Sequence, residues 1–202
     1  MSIRVFFGKP GCGKSTLCCK FARQNATKRP TYINFANTVP KAYPCTLDGL
    51  GEWTPKIGAY LLIDESGIEF NSRAYKALPK PTIAWFKKHR HFHADVDVFS
   101  QSHEDMDITI RRLADELWYM KKVGWWTICR RIYKYVMVDE NTHQIIDGYK
   151  MACPLWLLVA PLQFLGLWQK KYMLTFRPFY YRYFNSWEVD ETIPVREFIQ
   201  NK

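Results

Sequence analysis

Apolar residues along this chain change their spacing repeatedly, and each change marks an element. "IRVFF" at 3–7 is a β-branched and aromatic run of the kind that fills a buried parallel strand. The next segment, "STLCCKFARQNA", carries Leu17, Phe21 and other apolar residues at helical spacing, which predicts a helix over 14–25. Further runs predict strands over 31–35, 59–63 and 95–100, and helices over 82–91 and 105–115. Such alternation argues for an α/β fold with a mainly parallel sheet flanked by helices. Prolines and glycines between Val39 and Lys56 predict an irregular connection there, and "SGIEFNSRAYKALPKP" reads as a second loop.

From Glu116 onward the pattern shifts. "ELWYMKK", "WWTICRRIYKYVMV", "HQIIDGY" and "MLTFRPFYYRYF" are rich in aromatic and β-branched residues, with "DENT" at 139–142 breaking the runs as a turn would. A strand-rich, hairpin-like C-terminal part that continues the sheet is expected. The chain then reads as one domain over 1–202, with a core at 1–120 and the aromatic part at 121–202. Within the latter, "ACPLWLLVAPLQFLGLW" at 152–168 contains one polar residue, Gln163, but also Pro154, Pro161 and Gly166. It is short and poorly helical for a membrane span. A buried core or interface segment leads, with a membrane-inserted hairpin or monotopic helix and a true span kept open by the flanking lysines with Trp156 and Trp168.

Composition narrows the class. At 202 residues and 48% apolar content the chain can bury a full-sized core, so disorder is excluded. The net charge of +10 favours an anionic partner such as nucleic acid, a nucleotide or an acidic membrane surface. Its six cysteines form no CxxC pair and no zinc spacing, which predicts reduced thiols packed as small apolar groups in a cytoplasmic compartment. Cys18 and Cys19, adjacent on a helix, should point in different directions. "MSIRVFFGKPG" runs from strand to loop and predicts no signal peptide.

The specific chemical motif is "GKPGCGKS" from Gly8 to Ser15, followed by Thr16. It fits G-x-x-x-x-G-K-[ST] in full and sits between a strand and a helix, as a phosphate-binding loop requires. Gly8, Gly11 and Gly13 allow a tight turn in which the N–H groups of residues such as Cys12, Gly13 and Thr16 can face phosphates. Lys14 would neutralise the β- and γ-phosphates, and the Ser15 hydroxyl would ligate Mg2+. A second acidic element follows in "AYLLIDESG": Asp64 would hold the Mg2+ and Glu65 would act as general base on water. The expected fold is therefore a P-loop NTPase with ATP and Mg2+ as cofactors. An Asp-Glu pair favours hydrolysis over transfer to a small acceptor, which disfavours a small-molecule kinase.

"HRHFH" at 89–93 first reads as a metal site. On a helix, however, His89 and His93 share a face and His91 points away, which weakens a three-histidine set and leaves a structural or interface role. The strand after it ends at Ser100-Gln101, where Gln101 can sense the γ-phosphate or orient water. Ring ATPases complete their sites with an arginine from a neighbouring subunit, and Arg90, Arg111 and Arg73 are the candidates.

With "GKPGCGKS", "LLIDE" and "HRHFHADVDVFSQ" in that order, the chain resembles the zonula occludens toxin (Zot) family, whose phage members are the gene I assembly proteins of filamentous bacteriophages. His89-Arg90-His91, Asp95 leading "VDVFSQ", Ile110-Arg111 and the closing "FRPFYYRYFNSWE", expected as a strand, carry the likeness, which covers roughly residues 1–190. Where the family carries Gly shortly before the strand's Asp, this chain has His93, so the turn is expected to avoid a glycine-only conformation. The resemblance implies an oligomeric, ring-forming ATPase motor at the cytoplasmic face of the host inner membrane. It further implies phage assembly and coat proteins as partners, with phage single-stranded DNA as a possible client. Because family members continue into a membrane helix, residues 152–168 or a partner would supply membrane attachment here. A DNA translocase or packaging ATPase, and a nucleotide-binding toxin module without turnover, are the rival readings.

Overall fold

The run Ile3–Phe7 becomes the central strand, β1, because both of its faces are covered. Ile3 and Val5 enter one apolar cluster and Phe6 the other, all fully buried. The computed structural model describes residues 1–35, 37–45, 50–51, 54–64, 79–104, 106–138, 145–152 and 171–184. In it, β1 pairs in parallel with β5 (Asp95–Ser100) on one side and β6 (Glu116–Val123) on the other. Beyond β5 lie β4 (Tyr60–Ile63), β2 (Thr31–Ile33) and β3 (Ala42–Pro44), each parallel to its neighbour. Beyond β6 the direction reverses: β7 (Trp126–Val138) is antiparallel to it, and β8 (Ile145–Met151) and β9 (Tyr172–Phe176) are antiparallel to β7. Arg131 shows how β7 serves both. Its N–H donates to the Lys171 carbonyl at 3.0 Å and its carbonyl accepts from the Ala152 N–H at 2.9 Å, so β9 and β8 follow one another along one edge.

Helices close the two faces. Helix α1 (Lys14–Asn25) places Leu17 and Phe21 against Phe6, Leu62, Phe99 and Trp118, and Phe6 stacks on Phe99 at 5.0 Å. On the opposite face, α2 (Lys80–Lys88) and α3 (Ile108–Leu113) bring Trp85, Phe86 and Ile110 onto Val5, Leu61, Ile63 and Val98. Each such side chain contributes about 1.5–3 kcal/mol when fully buried. Cys18 and Cys19 are both fully buried, and both belong to the α1 cluster despite their adjacency. Burial pushes both thiols up, that of Cys19 to about 12, so they behave as apolar packing groups.

Several boundaries move for local reasons. The helix read over 82–91 runs Lys80–Lys88, since Pro81 is tolerated in a first turn. The one read over 105–115 shortens to α3: the Asp107 carboxylate accepts from the Thr109 N–H at 2.7 Å as a cap, and Ala114 is already extended. The connection after Val39 contains β3, an edge strand that Pro44 hides from a propensity reading. "FRPFYYRYF" leaves the sheet at Phe176 and continues as a 3-10 helix, Arg177–Tyr183, because Pro178 has no N–H to give a ladder.

The histidine segment is corrected twice. Helix α2 ends at Lys88, so 89–93 is a run of turns and the helical-face argument does not apply. His89 is buried, with Nδ1 at 2.7 Å from the Phe86 carbonyl, whereas His91 and His93 are exposed. Among the described residues no three His, Cys, Asp or Glu side chains gather as a metal set. The turn also does not avoid the left-handed region, since His93 has φ 53°. That conformation costs a non-glycine residue roughly 1–2 kcal/mol, partly offset by the greater chain entropy of glycine. His93→Gly is therefore expected to raise stability by up to about 1 kcal/mol, read from denaturant midpoints at unchanged slope. A lower midpoint would refute left-handed strain at this turn.

Candidate active site

Parallel strands bring their C-terminal ends to one sheet edge, and the sequence places its polar groups there. β1 ends at Phe7, in register with Ser100 of β5 and Tyr119 of β6, and the Gly8 N–H donates to the Ser100 carbonyl at 3.3 Å. The loop then turns through Gly11 and Gly13 into α1, whose first backbone bond runs from the Leu17 N–H to the Gly13 carbonyl at 3.0 Å. Gly13 has φ 95°, and a Cβ there would stand 2.3 Å from Thr127 Oγ1. Both facts exclude any other residue.

Lys14 is buried and folds back along the loop, its Nζ donating to the Gly8 carbonyl at 3.1 Å and the Lys9 carbonyl at 3.4 Å. Ser15 Oγ donates to Asp64 Oδ2 at 2.6 Å, across 49 residues of sequence. Asp64 itself is buried just after β4. A hydroxyl and a carboxylate oxygen converging in this way form an all-oxygen donor pair that fits a hard divalent cation such as Mg2+. Thr16 and Cys12 are buried on the helix and loop sides of Lys14. Gln101 follows β5 directly and is exposed at the same edge as Gly8. Glu65 and Arg73 lie outside the described residues.

Arg90 sits elsewhere. It pairs with Asp115 at 2.9 Å, and Asp115 also accepts from the Ile3 N–H at 2.8 Å where β1 begins. Arg90 is thus at the opposite sheet edge from the chain's own phosphate loop. Arg111 lies on α3, its carbonyl accepting from Lys134 Nζ at 2.7 Å.

Three further residues reach the site. Asn34, just past β2, brackets Asp64: its Oδ1 accepts from the Asp64 N–H at 2.7 Å and its Nδ2 donates to the Asp64 carbonyl at 2.9 Å. Thr127 of β7 donates its hydroxyl to the Cys12 carbonyl at 2.7 Å, and Arg177 donates Nη1 to the Gly11 carbonyl at 3.4 Å. Only Asn34 carries a sequence signal, a polar residue at the end of a strand parallel to β4. His103, beyond β5, packs on Phe7 and Tyr149 at 5.5 and 5.4 Å, and burial holds its imidazole below the ordinary value.

Comparison with known proteins agrees with this architecture. The family described as Zonular occludens toxin (Zot) matches residues 20–156, well over half of the chain. No curated protein matches it. Among solved structures, the N-terminal domain of zonular occludens toxin from Neisseria meningitidis is similar at 17% identity, covering 77% of this chain and 96% of that one, with a TM-score of 0.54. The genome packaging NTPase B204 from Sulfolobus turreted icosahedral virus 2, in complex with AMPPCP, is similar at 14% identity over 73% of this chain and 96% of that one, with a TM-score of 0.50. These likenesses carry the fold: an α/β, P-loop NTPase architecture with a mainly parallel central sheet.

Proposed function

The chain belongs to the zonular occludens toxin family, and we propose that it is an ATP-hydrolysing motor that drives filamentous phage assembly and extrusion. The observation that carries the reading is the 2.6 Å contact between Ser15 and Asp64, which joins the phosphate loop to the acidic strand end. In this reading the backbone N–H groups of Gly11 and of Gly13 to Thr16 cradle the phosphates, and Lys14 neutralises the β- and γ-oxygens. The N–H groups of Gly8 and Cys12 are held by the Ser100 and Lys9 carbonyls. Ser15 and Asp64 would hold Mg2+, which would supply charge stabilisation to the transferring phosphoryl group. Asn34 keeps the Asp64 backbone in place for that task. Glu65 takes the proton of the attacking water, and Gln101 orients that water at the end of β5.

A homo-oligomeric ring at the cytoplasmic face of the host inner membrane completes the proposal. Arg90, 66% exposed and remote from its own loop, would then serve the site of the next subunit. Phage assembly and coat proteins are the proposed partners. Among the described residues no helix is long and apolar enough to cross a membrane. Segment 152–168 lies outside them apart from Ala152, and its proposed role as membrane attachment is tested by carbonate extraction of membranes.

Purified Glu65→Gln is expected to retain ATP through gel filtration while the wild type releases phosphate. Equal background rates for the two would end the motor reading and leave the turnover-free binding module. The charge of +10 keeps a DNA translocase as the second reading. Hydrolysis stimulated by single-stranded DNA with a steep salt dependence would favour it, and DNA-insensitive hydrolysis would remove it.

A further inference from the structure

Arg177 is a buried charge, 8% exposed, with no counter-ion among the described residues. Among the described residues its Nη1 and Nη2 donate to the carbonyls of Gly11 and Gly124, and its buried Nε has no hydrogen-bond partner. Taking a guanidinium out of water is costly unless an anion or a full set of acceptors compensates it. Two neutral carbonyls accept from it but carry no charge to match its own.

Its position points to the anion it would meet. The side chain lies against the phosphate loop, since a Cβ on Gly13 would stand 2.9 Å from Arg177 Cδ. β1 lies between β5 and β6, so Asp64 approaches the loop from the β4–β5 flank and Arg177 from the flank of β6, β7 and β9. The loop N–H groups, the start of α1 and Lys14 already favour negative charge at this point. We infer that Arg177 is a phosphate-binding arginine supplied in cis, the second cation on the polyphosphate of the nucleotide held by Gly8–Thr16. The inference rests on the nucleotide reading of the loop given above. Thr127 has the uncharged counterpart role: its hydroxyl on the Cys12 carbonyl holds the loop in shape.

The test separates charge from hydrogen bonding. Arg177→Lys keeps the charge, and Arg177→Gln removes it while leaving a shorter polar side chain with one amide NH2 as donor. A fluorescent ATP analogue is titrated into wild type, Lys14→Ala and both Arg177 variants, with thermal unfolding as a check of folding. Arg177→Lys should stay within about threefold of wild type, while Arg177→Gln should bind roughly 10- to 100-fold more weakly. Wild-type affinity in Arg177→Gln, or equal losses in Gln and Lys, would make Arg177 a clamp of the loop and overturn the inference alone. Wild-type protein with no binding that Lys14→Ala removes would overturn the nucleotide reading and this inference with it. Should a variant fail to fold, the Arg177 Nε–H resonance of the wild type decides: it shifts with ATP and not with adenosine, and an unmoved signal refutes phosphate contact.

Discussion

Lys14→Ala is expected to lower ATP turnover by about 10²–10³-fold or more, the scale of removing one preorganised group that meets developing charge. Lys14 is buried, and its ammonium is held within the loop by the Gly8 and Lys9 carbonyls, so no flexible surface lysine can take its place. The substitution deletes charge without touching Ser15 or Asp64, and the apolar core beneath the loop remains. Phosphate release and thermal unfolding, measured on the same preparation, check this. Turnover within tenfold of wild type in a folded variant would mean that the loop does not perform the chemistry.

The second large effect concerns stability. Asp97 in β5 is fully buried, and Arg4 of β1 meets it with two bonds, Nε to Oδ1 at 2.7 Å and Nη2 to Oδ2 at 2.6 Å. Nη2 also donates to the Tyr60 hydroxyl at 2.9 Å, and that hydroxyl donates to Asp97. Burial pushes the Asp97 carboxyl up, and Arg4 opposes that shift. Arg4→Ala would leave a buried carboxylate facing only a phenol, at a cost of about 3–5 kcal/mol. Without Arg4, the folded-state value of Asp97 rises further above its unfolded value. The folded state then binds the extra proton, so the deficit is complete above that raised value and shrinks as pH falls from it toward the unfolded value. Denaturant titrations at pH 5 and pH 8 read the difference. Replacing both partners by apolar residues (Arg4→Met with Asp97→Leu) should recover most of the loss. A double variant as unstable as Arg4→Ala, with no pH dependence in either, would show that lost packing of Arg4 over Phe21 is the cause instead.

How much was legible depends on the range over which each constraint acts. The strand at 3–7, the helix at 14–25 and the strand at 95–100 carry their own periodicity, and all three form with those bounds. The phosphate loop is legible because its glycines, Lys14 and Ser15 must be contiguous to build one turn. Asp64 is legible because a strand end at a shared edge is a short-range pattern. The histidine turn is not legible because a helix stop is weakly encoded: Lys87 and Lys88 are good helix formers, and nothing before His89 forbids another turn. Left-handed backbone at His93 is likewise set by the need to enter β5, where the Ala94 N–H returns to the His89 carbonyl at 3.0 Å.

By itself the sequence determined the α/β alternation, the phosphate loop with its acidic strand end, and the resemblance to the family that the comparisons then bore out. Each of these rests on residues close together in the chain. Only the tertiary structure decided that the C-terminal strands fold back onto the loop. Thr127 meets the Cys12 carbonyl across 115 residues, and Arg177 meets the Gly11 carbonyl across 166. No spacing rule reaches that far, because the contacts follow from β7 pairing with β6 and β9, which sheet register sets. It also separated the arginines, placing Arg90 at the far edge and Arg177 beside the loop. The physical reason is direction: parallel strands send everything after them to one edge and everything before them to the other.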